Sequence, residues 1–153
     1  MQKSLLSEKR CDVKYYAVID TNVLVSAILK WDSIPGRVLE HAFTGDIIPL
    51  LNEQVLKEYI EVLGRPKFHF DQEKINVVVD GLIRRGIFVD AEPVDVNLPD
   101  RNDVIFYEIV MEKRKYEEAF LVTGNTRHFP SEPYIVTPRE MLTILENEPW
   151  GFD

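Results

Sequence analysis

One stretch, Tyr15-Tyr16-Ala17-Val18-Ile19-Asp20-Thr21-Asn22, decides the fold that we expect for this chain. The residues before Asp20 are β-branched or aromatic and predict a buried strand, and the apolar run at 23–29 predicts a helix packed on it. Asp20 would then lie at the carboxyl edge of a sheet, where open α/β folds place their ligands. A carboxylate is costly to bury between two apolar runs unless something binds it, and a metal ion is a common partner.

Length and composition indicate one soluble globular domain. The chain has 153 residues, of which 45% are hydrophobic and 29% charged, which suits a single domain with a real core. No apolar run is long enough to span a bilayer, and the first ten residues lack the apolar core of a signal peptide. We therefore expect a cytoplasmic protein with no membrane partner. Cys11 is the single cysteine, which excludes an internal disulfide and a zinc–thiolate cluster.

The net charge of −8 argues against a nucleic-acid binder, because phosphate contacts depend on Lys and Arg. Such a charge is tolerable if part of it belongs to a metal site, or if basic residues cluster on one face.

Predicted strands alternate with predicted helices along the chain. Strands are expected at 15–19, 47–51, 87–89, 119–123 and 134–136, and helices at 22–29, 37–44, 53–63, 72–85, 101–115 and from 138 onward. This alternation predicts an α/β fold with a central parallel sheet of about five strands and helices on both faces. We expect residues 1–14 to form an N-terminal arm, 15–147 the folded domain and 148–153 a tail. Residues 31–36 are expected to form a loop before the second helix.

Several helix ends carry recognisable capping residues. Thr137 and Glu140 would form a capping box around Pro138 at the first helical position. Other predicted caps are Asn52, Asp71 and Asp100 at N-termini and Gly45 at a C-terminus.

Four polar positions are candidates for a site, each with a structural alternative. Asp20 could simply cap the next helix. Glu58 borders the apolar stripe of its helix, where an acid is seldom buried without a partner. Asp103, in Pro99-Asp100-Arg101-Asn102-Asp103, could instead stabilise a helix dipole. Asn125 could adopt a left-handed turn conformation, or ligate a hard metal through its side-chain oxygen.

Taken together, these residues predict a metal site. Asp20, Asp103 and residues 123–125 would meet at one sheet edge, with Glu58 facing them. Converging carboxylates raise one another's pKa, and a divalent cation removes that conflict. Oxygen-only ligands favour Mg²⁺ or Mn²⁺ over zinc. Such a site suits phosphodiester hydrolysis, in which the metal activates a water and stabilises charge on the phosphate.

Four motifs resemble those of the PIN-domain ribonucleases, in particular the toxin components of bacterial and archaeal toxin–antitoxin pairs. They occur in the family's order across residues 16–142: Val18-Ile19-Asp20-Thr21-Asn22-Val23-Leu24-Val25-Ser26, Glu58-Tyr59-Ile60-Glu61-Val62-Leu63 with Arg65-Pro66-Lys67-Phe68, Pro99-Asp100-Arg101-Asn102-Asp103, and Leu121-Val122-Thr123-Gly124. The resemblance implies a Rossmann-like PIN domain that acts as an Mg²⁺- or Mn²⁺-dependent endoribonuclease.

The resemblance also assigns roles to residues. The family's first acid, helix glutamate and third acid correspond to Asp20, Glu58 and Asp103. Accessory positions are Asp100, Asn22 and Thr123. The family often has an aspartate after Thr-Gly, where this chain has Asn125, so the resemblance leaves open whether one or two metals bind.

Partners also follow from the resemblance: an RNA substrate, a small antitoxin protein and a second copy of the chain. Exposed apolar residues on the early helices would mark the dimer surface. Candidate RNA contacts are Arg65, Lys67, Arg101, Arg127 and His128, although an ordinary solvated charge is the simpler interpretation of each.

Other functions are less compatible with the sequence. A PIN-like domain that has lost catalysis and binds a protein or RNA partner is the main alternative, and Asn125 favours it. A phosphoacceptor receiver domain would need a lysine where Thr137 stands, and a dehalogenase-type phosphatase would need an aspartate in place of Asn22.

Overall fold

The structure, a computed structural model, describes residues 14–146. The predicted tail and the first 13 residues of the predicted arm lie outside the described residues. Within them, a five-stranded parallel sheet has the order β3-β2-β1-β4-β5. The strands are β1 (Tyr15–Ile19), β2 (Ile47–Leu51), β3 (Ile87–Phe88), β4 (Ala119–Val122) and β5 (Ile135–Val136). The predicted α/β class is confirmed.

Helices connect the first four strands, a segment with one 3₁₀ turn joins β4 to β5, and the last helix follows β5. They are α1 (Thr21–Leu29), α2 (Ile34–Thr44), α3 (Glu53–Leu63), α4 (Gln72–Arg85), α5 (Val104–Arg114) and α6 (Pro138–Glu146). Three consecutive residues of β1, Ala17, Val18 and Ile19, are buried. Because successive side chains of a strand point to opposite faces, both faces of the sheet are covered at this strand. Within residues 14–146, none of the helices is long and apolar enough to cross a membrane.

The sheet order places a topological switch point beside β1. The chain leaves β1 towards β2 on one side and later returns to pair β4 with its other side. The connections on the two sides therefore diverge at the carboxyl ends of β1 and β4. In open α/β sheets this divergence opens a crevice that ligands occupy.

The start of α2 differs from the prediction. The helix begins at Ile34, so the last three residues of the predicted loop form its first turn. Ser33 is the N-cap, and its hydroxyl accepts a hydrogen bond from the Gly36 amide at 3.2 Å. Pro35 is tolerated in a first turn. Gly36 is needed there because a Cβ would lie 1.8 Å from the carbonyl oxygen of Trp31.

Two further residues occupy N-cap positions as predicted but differ from the prediction in detail. Asp71 precedes α4 but makes no capping hydrogen bond. The Asp100 carboxylate accepts a hydrogen bond from the Asn102 amide at 3.0 Å, but it caps a separate 3₁₀ turn, Arg101–Asp103, and α5 begins only at Val104. The chain thus enters α5 through one tighter turn, a frequent arrangement at helix N-termini.

The other predicted caps are present. Thr137 and Glu140 form the reciprocal capping box, with N···O distances of 2.9 and 3.1 Å, and Gly45 ends α2 with φ of 99°. The Asn52 side chain accepts from the Val55 amide at 2.9 Å, which fixes the start of the helix that carries Glu58.

The Asn52 cap can be tested by mutation. Asn52→Ala leaves the Val55 amide without its partner, and we expect the free energy of unfolding to fall by about 1 kcal/mol. Gln54→Ala, an exposed position in the same turn, should change it by less than about 0.5 kcal/mol. Urea denaturation followed by circular dichroism measures both, and equal losses would contradict the capping role.

Candidate active site

Asp20 and Thr123 lie side by side at the switch point. Each directly follows its strand, and the Asp20 amide donates to the Val122 carbonyl at 2.9 Å. The Thr123 hydroxyl donates to Oδ2 of Asp20 at 2.8 Å, in a buried bond between residues 103 positions apart. The ends of β1 and β4 are therefore joined through the carboxylate itself.

A second pair of hydrogen bonds holds the loop after β4 against α1. The side-chain Nδ2 of Asn22 donates to Oδ2 of Asp20 at 3.2 Å. The side-chain Oδ1 of Asn22 accepts from the backbone N–H of Gly124 at 3.0 Å. The Thr123 hydroxyl also accepts from the Asn125 amide at 3.0 Å. Asn22 and Thr123 thus position both the first acid and the loop that carries Asn125.

Two structural alternatives from the sequence are not what the structure contains. Asp20 occupies the N-cap position of α1, but its side chain makes no capping hydrogen bond. Asn125 has φ of −124°, so it is not in the left-handed region. The backbone conformation at these two positions therefore does not explain why an aspartate and an asparagine occur there.

Helix α3 brings Glu58 to the same place. Val55, Tyr59 and Val62 form the buried face of this helix, and Glu58 beside them is half-buried. The Tyr59 hydroxyl donates to the carbonyl of Ile19, the last residue of β1. Because this bond ties α3 to the strand that ends at Asp20, it fixes the position of Glu58 relative to Asp20.

The acids line one cleft of about 330 Å³. The predicted site residues that line it are Asp20, Asn22, Glu58, Asp100, Asp103, Asn125 and His128. Residues that the sequence analysis did not single out also line it: Thr21, Val25, Ser26, Val62, Phe68, Asn102 and Phe106. For Phe68, the sequence does contain a signal: basic and aromatic residues alternate in Lys67-Phe68-His69-Phe70, a pattern typical of nucleic-acid-binding surfaces.

His128 contacts one of the acids directly. Its Nδ1 lies 3.1 Å from Oδ2 of Asp103, and the His128 side chain is 41% exposed while that of Asp103 is 11% exposed. The sequence predicted an RNA contact for His128, whereas the structure shows it beside Asp103. The ring therefore holds one carboxylate oxygen of Asp103 in place.

Burial raises the pKa of all three acids. The pKa of Asp103 rises to about 6, mainly through burial and then through the nearby charge of Asp20. Burial likewise raises the pKa of Asp20, against the hydrogen bond from Thr123. Burial and the charge on Glu61 raise the pKa of Glu58. Because a nearby positive charge would lower the pKa of a carboxyl group, the raised pKa values indicate that the cleft lacks positive charge.

The cleft offers oxygen donors to a metal ion. Within residues 14–146, no three His, Cys, Asp or Glu side chains lie close enough together to hold an ion as they stand. Mg²⁺ usually takes one or two carboxylates and keeps several waters, so the oxygen donors fit a hydrated Mg²⁺ or Mn²⁺. The Thr21 hydroxyl, buried beside the cleft without a partner among the described residues, is a further oxygen donor.

The other four predicted RNA contacts do not line this cleft. Arg65 is bound to Glu61 at 2.8 Å, and Arg101 is exposed on the 3₁₀ turn beside the acids. Lys67 lies over the ring of Phe68. Arg127 lines a different groove of about 800 Å³ that extends to α6.

Comparison with known proteins agrees with this geometry. A family model described as the PIN domain matches residues 16–127. The chain belongs to the PIN domain family. PIN domains are generally metal-dependent nucleases.

The other comparisons add little about function. An uncharacterized protein of Methanocaldococcus jannaschii is 39% identical over 51 residues. That match covers 33% of this chain and 33% of the archaeal protein, so the chain spans only about a third of the relative's length. No solved structure matches.

The raised pKa of Asp103 predicts how stability depends on pH in metal-free protein. The carboxyl titrates near 3.8 when unfolded and near 6 when folded, so the folded state binds the proton more tightly. Its contribution to stability is therefore complete below about pH 4 and is lost as the pH rises through about 6. Asp103→Asn removes this loss and retains a hydrogen-bonding group for His128.

We expect metal-free Asp103→Asn to be more stable than the unmodified chain at pH 8, by on the order of 1 kcal/mol. The difference should shrink towards pH 4. Urea denaturation in EDTA at both pH values measures it. Asp95→Asn, which removes an exposed charge from the loop before α5, is the control. A variant that is less stable at pH 8 would show that ionised Asp103 supports the fold.

Proposed function

We propose that this PIN domain is an Mg²⁺- or Mn²⁺-dependent endoribonuclease that hydrolyses RNA phosphodiester bonds. One observation carries the proposal. Asp20, Glu58 and Asp103 come from three separate elements, line one cleft at the switch point, and each has a raised pKa. Three acids held against their own repulsion indicate a site built for a cation.

The buried acids Asp20 and Asp103 would hold the ion, with Glu58 and Asn125 reaching it directly or through water. A divalent cation bound there would supply an activated water and positive charge beside the phosphate. Thr123 and Asn22 orient Asp20 through their hydrogen bonds, and His128 orients Asp103. Asp100, exposed at the rim, is an accessory carboxylate for water-mediated contacts.

A toxin role in a toxin–antitoxin pair is the finer part of the proposal and is supported by the motif resemblance. It implies an antitoxin protein and a homodimer. Leu29 at the end of α1 is 61% exposed and Trp31 just after it is 38% exposed, which provides apolar surface at the early helices. Induced expression should arrest bacterial growth, and Asp20→Asn should not.

A second candidate function is an RNA- or protein-binding PIN domain with weakened catalysis. Asn125 favours it, because a neutral amide binds a hard cation less strongly than a carboxylate does. A chain that binds RNA but does not cleave it in Mg²⁺ or Mn²⁺ would support this candidate over the enzyme.

The nuclease proposal predicts metal-dependent cleavage that requires the acids. The purified chain should cleave a labelled single-stranded RNA in Mn²⁺ or Mg²⁺ and not in EDTA. Asp20→Asn and Asp103→Asn should each lower the rate at least about 100-fold, because each removes a charged metal ligand. Asp95→Asn should retain the rate. Unchanged cleavage by Asp20→Asn would contradict the assignment.

Metal binding should also raise the thermal stability of the unmodified chain, and more so at higher metal concentration, since the ion binds the folded state. Asp20→Asn should lose this increase. An unfolded Asp20→Asn would instead indicate a structural role for the acid, and circular dichroism distinguishes the two outcomes.

Asn125→Asp tests the departure from the family pattern. The added charge should lower the stability of the metal-free protein by a few tenths of a kcal/mol, since residue 125 is exposed and repulsion there is weak. It should raise Mn²⁺ affinity, and raise the cleavage rate if a second metal limits it. Calorimetry with Mn²⁺ measures the affinity.

The control is Asn97→Asp, which adds a charge at an exposed loop position that does not line the cleft. Unchanged affinity and stability in Asn125→Asp would place residue 125 outside the site.

A further inference from the structure

The segment between α3 and α4 carries two aromatic rings that the proposed chemistry does not use. It forms a 3₁₀ turn, Pro66–Phe68, followed by His69 with φ of 54°. This is the left-handed region, which histidine enters more readily than most residues. On either side of His69, the rings of Phe68 and Phe70 are stacked, with centroids 5.3 Å apart and planes at 10°.

The two rings have different surroundings. Phe70 is partly buried and packs against the hydrophobic core, whereas Phe68, also half-buried, is not among the described residues that pack there. Phe68 instead lines the cleft that contains Asp20, Glu58 and Asp103. The core therefore anchors Phe70, and Phe70 supports a second ring at the edge of the acid cleft.

A cation accompanies the stacked rings. The Lys67 Nζ lies 5.1 Å from the centroid of the Phe68 ring, and it forms no salt bridge with any residue in 14–146. In a chain with a net charge of −8, an unpaired lysine beside a cleft of acids is a place where a phosphate can be held. Aromatic faces next to cations are the arrangement that binds single-stranded nucleic acids.

We propose that the Phe68–Phe70 pair is a stacking site for an unpaired nucleobase of the substrate, with Lys67 contacting a neighbouring phosphate. The inference rests on the proposed nuclease function and names a subsite of the same cleft. The base would stack on the face of Phe68 that Phe70 does not cover, the Lys67 ammonium would move from the ring to the phosphate, and the strand would lie across the acids. Because every base has a π-face, the contact can form with any of the four bases. It requires a base that is not paired in a duplex.

A stacking-sensitive probe tests the subsite. A single-stranded RNA containing 2-aminopurine is titrated with the full chain in Ca²⁺, with gel analysis to verify that the RNA stays intact. Stacking on Phe68 should quench the fluorescence. Phe68→Leu keeps apolar volume but removes the π-face, and it should lose the quench and weaken binding by about fivefold to 100-fold. Phe68→Trp should retain both.

Controls separate the subsite from general effects. Phe88→Leu changes another exposed aromatic, on β3, and should leave quench and affinity unchanged. Phe68→Leu should retain the unmodified melting temperature to within a few degrees. Binding of the same sequence as a duplex should be equally weak in the unmodified chain and in Phe68→Leu, because a paired base cannot reach the ring. In Mn²⁺, Phe68→Leu should raise KM for the single strand more than it lowers kcat.

Failure of the inference is distinct from failure of the nuclease function. If the unmodified chain cleaves RNA and Phe68→Leu binds and cleaves it equally well, the stacking site is wrong and the nuclease function stands. A Phe68→Trp variant as weak as Phe68→Leu would also overturn stacking, in favour of a packing role. If the unmodified chain neither binds nor cleaves RNA, both proposals are overturned.

Discussion

The hydrogen bond from Thr123 to Asp20 is the interaction on which the rest of the site depends. It is buried, it joins the ends of two neighbouring parallel strands, and it engages the carboxylate that the site requires. A hydrogen bond to a charged group contributes more than one between neutral groups, and the unmade bond of a buried group is costly. The same hydroxyl also accepts from the Asn125 amide, so the loop after β4 takes its position from the first acid.

Around that bond the protein holds negative charge without neutralising it. Two of the predicted basic contacts are engaged away from the acids, since Arg65 is paired with Glu61 and Arg127 lines the groove near α6. His128 contacts Asp103 from an exposed position, which stabilises one carboxylate oxygen without burying a full positive charge. The architecture thus favours an exchangeable cation from solvent over a permanent ion pair.

The fold could be predicted from the sequence because, in nearly every element, the hydrophobic periodicity agreed with the residues that begin and end helices and strands. Apolar runs of strand length alternated with amphipathic helices, and Asn52 and Thr137 cap the helices as their chemistry suggested. The start of α2 was missed because Pro35 and Gly36 usually indicate a loop, whereas a close approach to Trp31 requires the glycine inside the first turn. The convergence of the acids followed from strand ends that meet at one edge. The Phe68–Phe70 stack depends on the backbone turn at His69, which no periodicity encodes.

The long sequence separation within the Asp20–Thr123 pair has a consequence for biosynthesis. The partners stand 103 residues apart, and β4 must insert beside β1 before the carboxylate is held. A growing chain on the ribosome therefore has no assembled cleft until β4 has left the exit tunnel. The first acid is thus synthesised long before the hydroxyl that positions it, and the cleft forms only once β1 and β4 can pair.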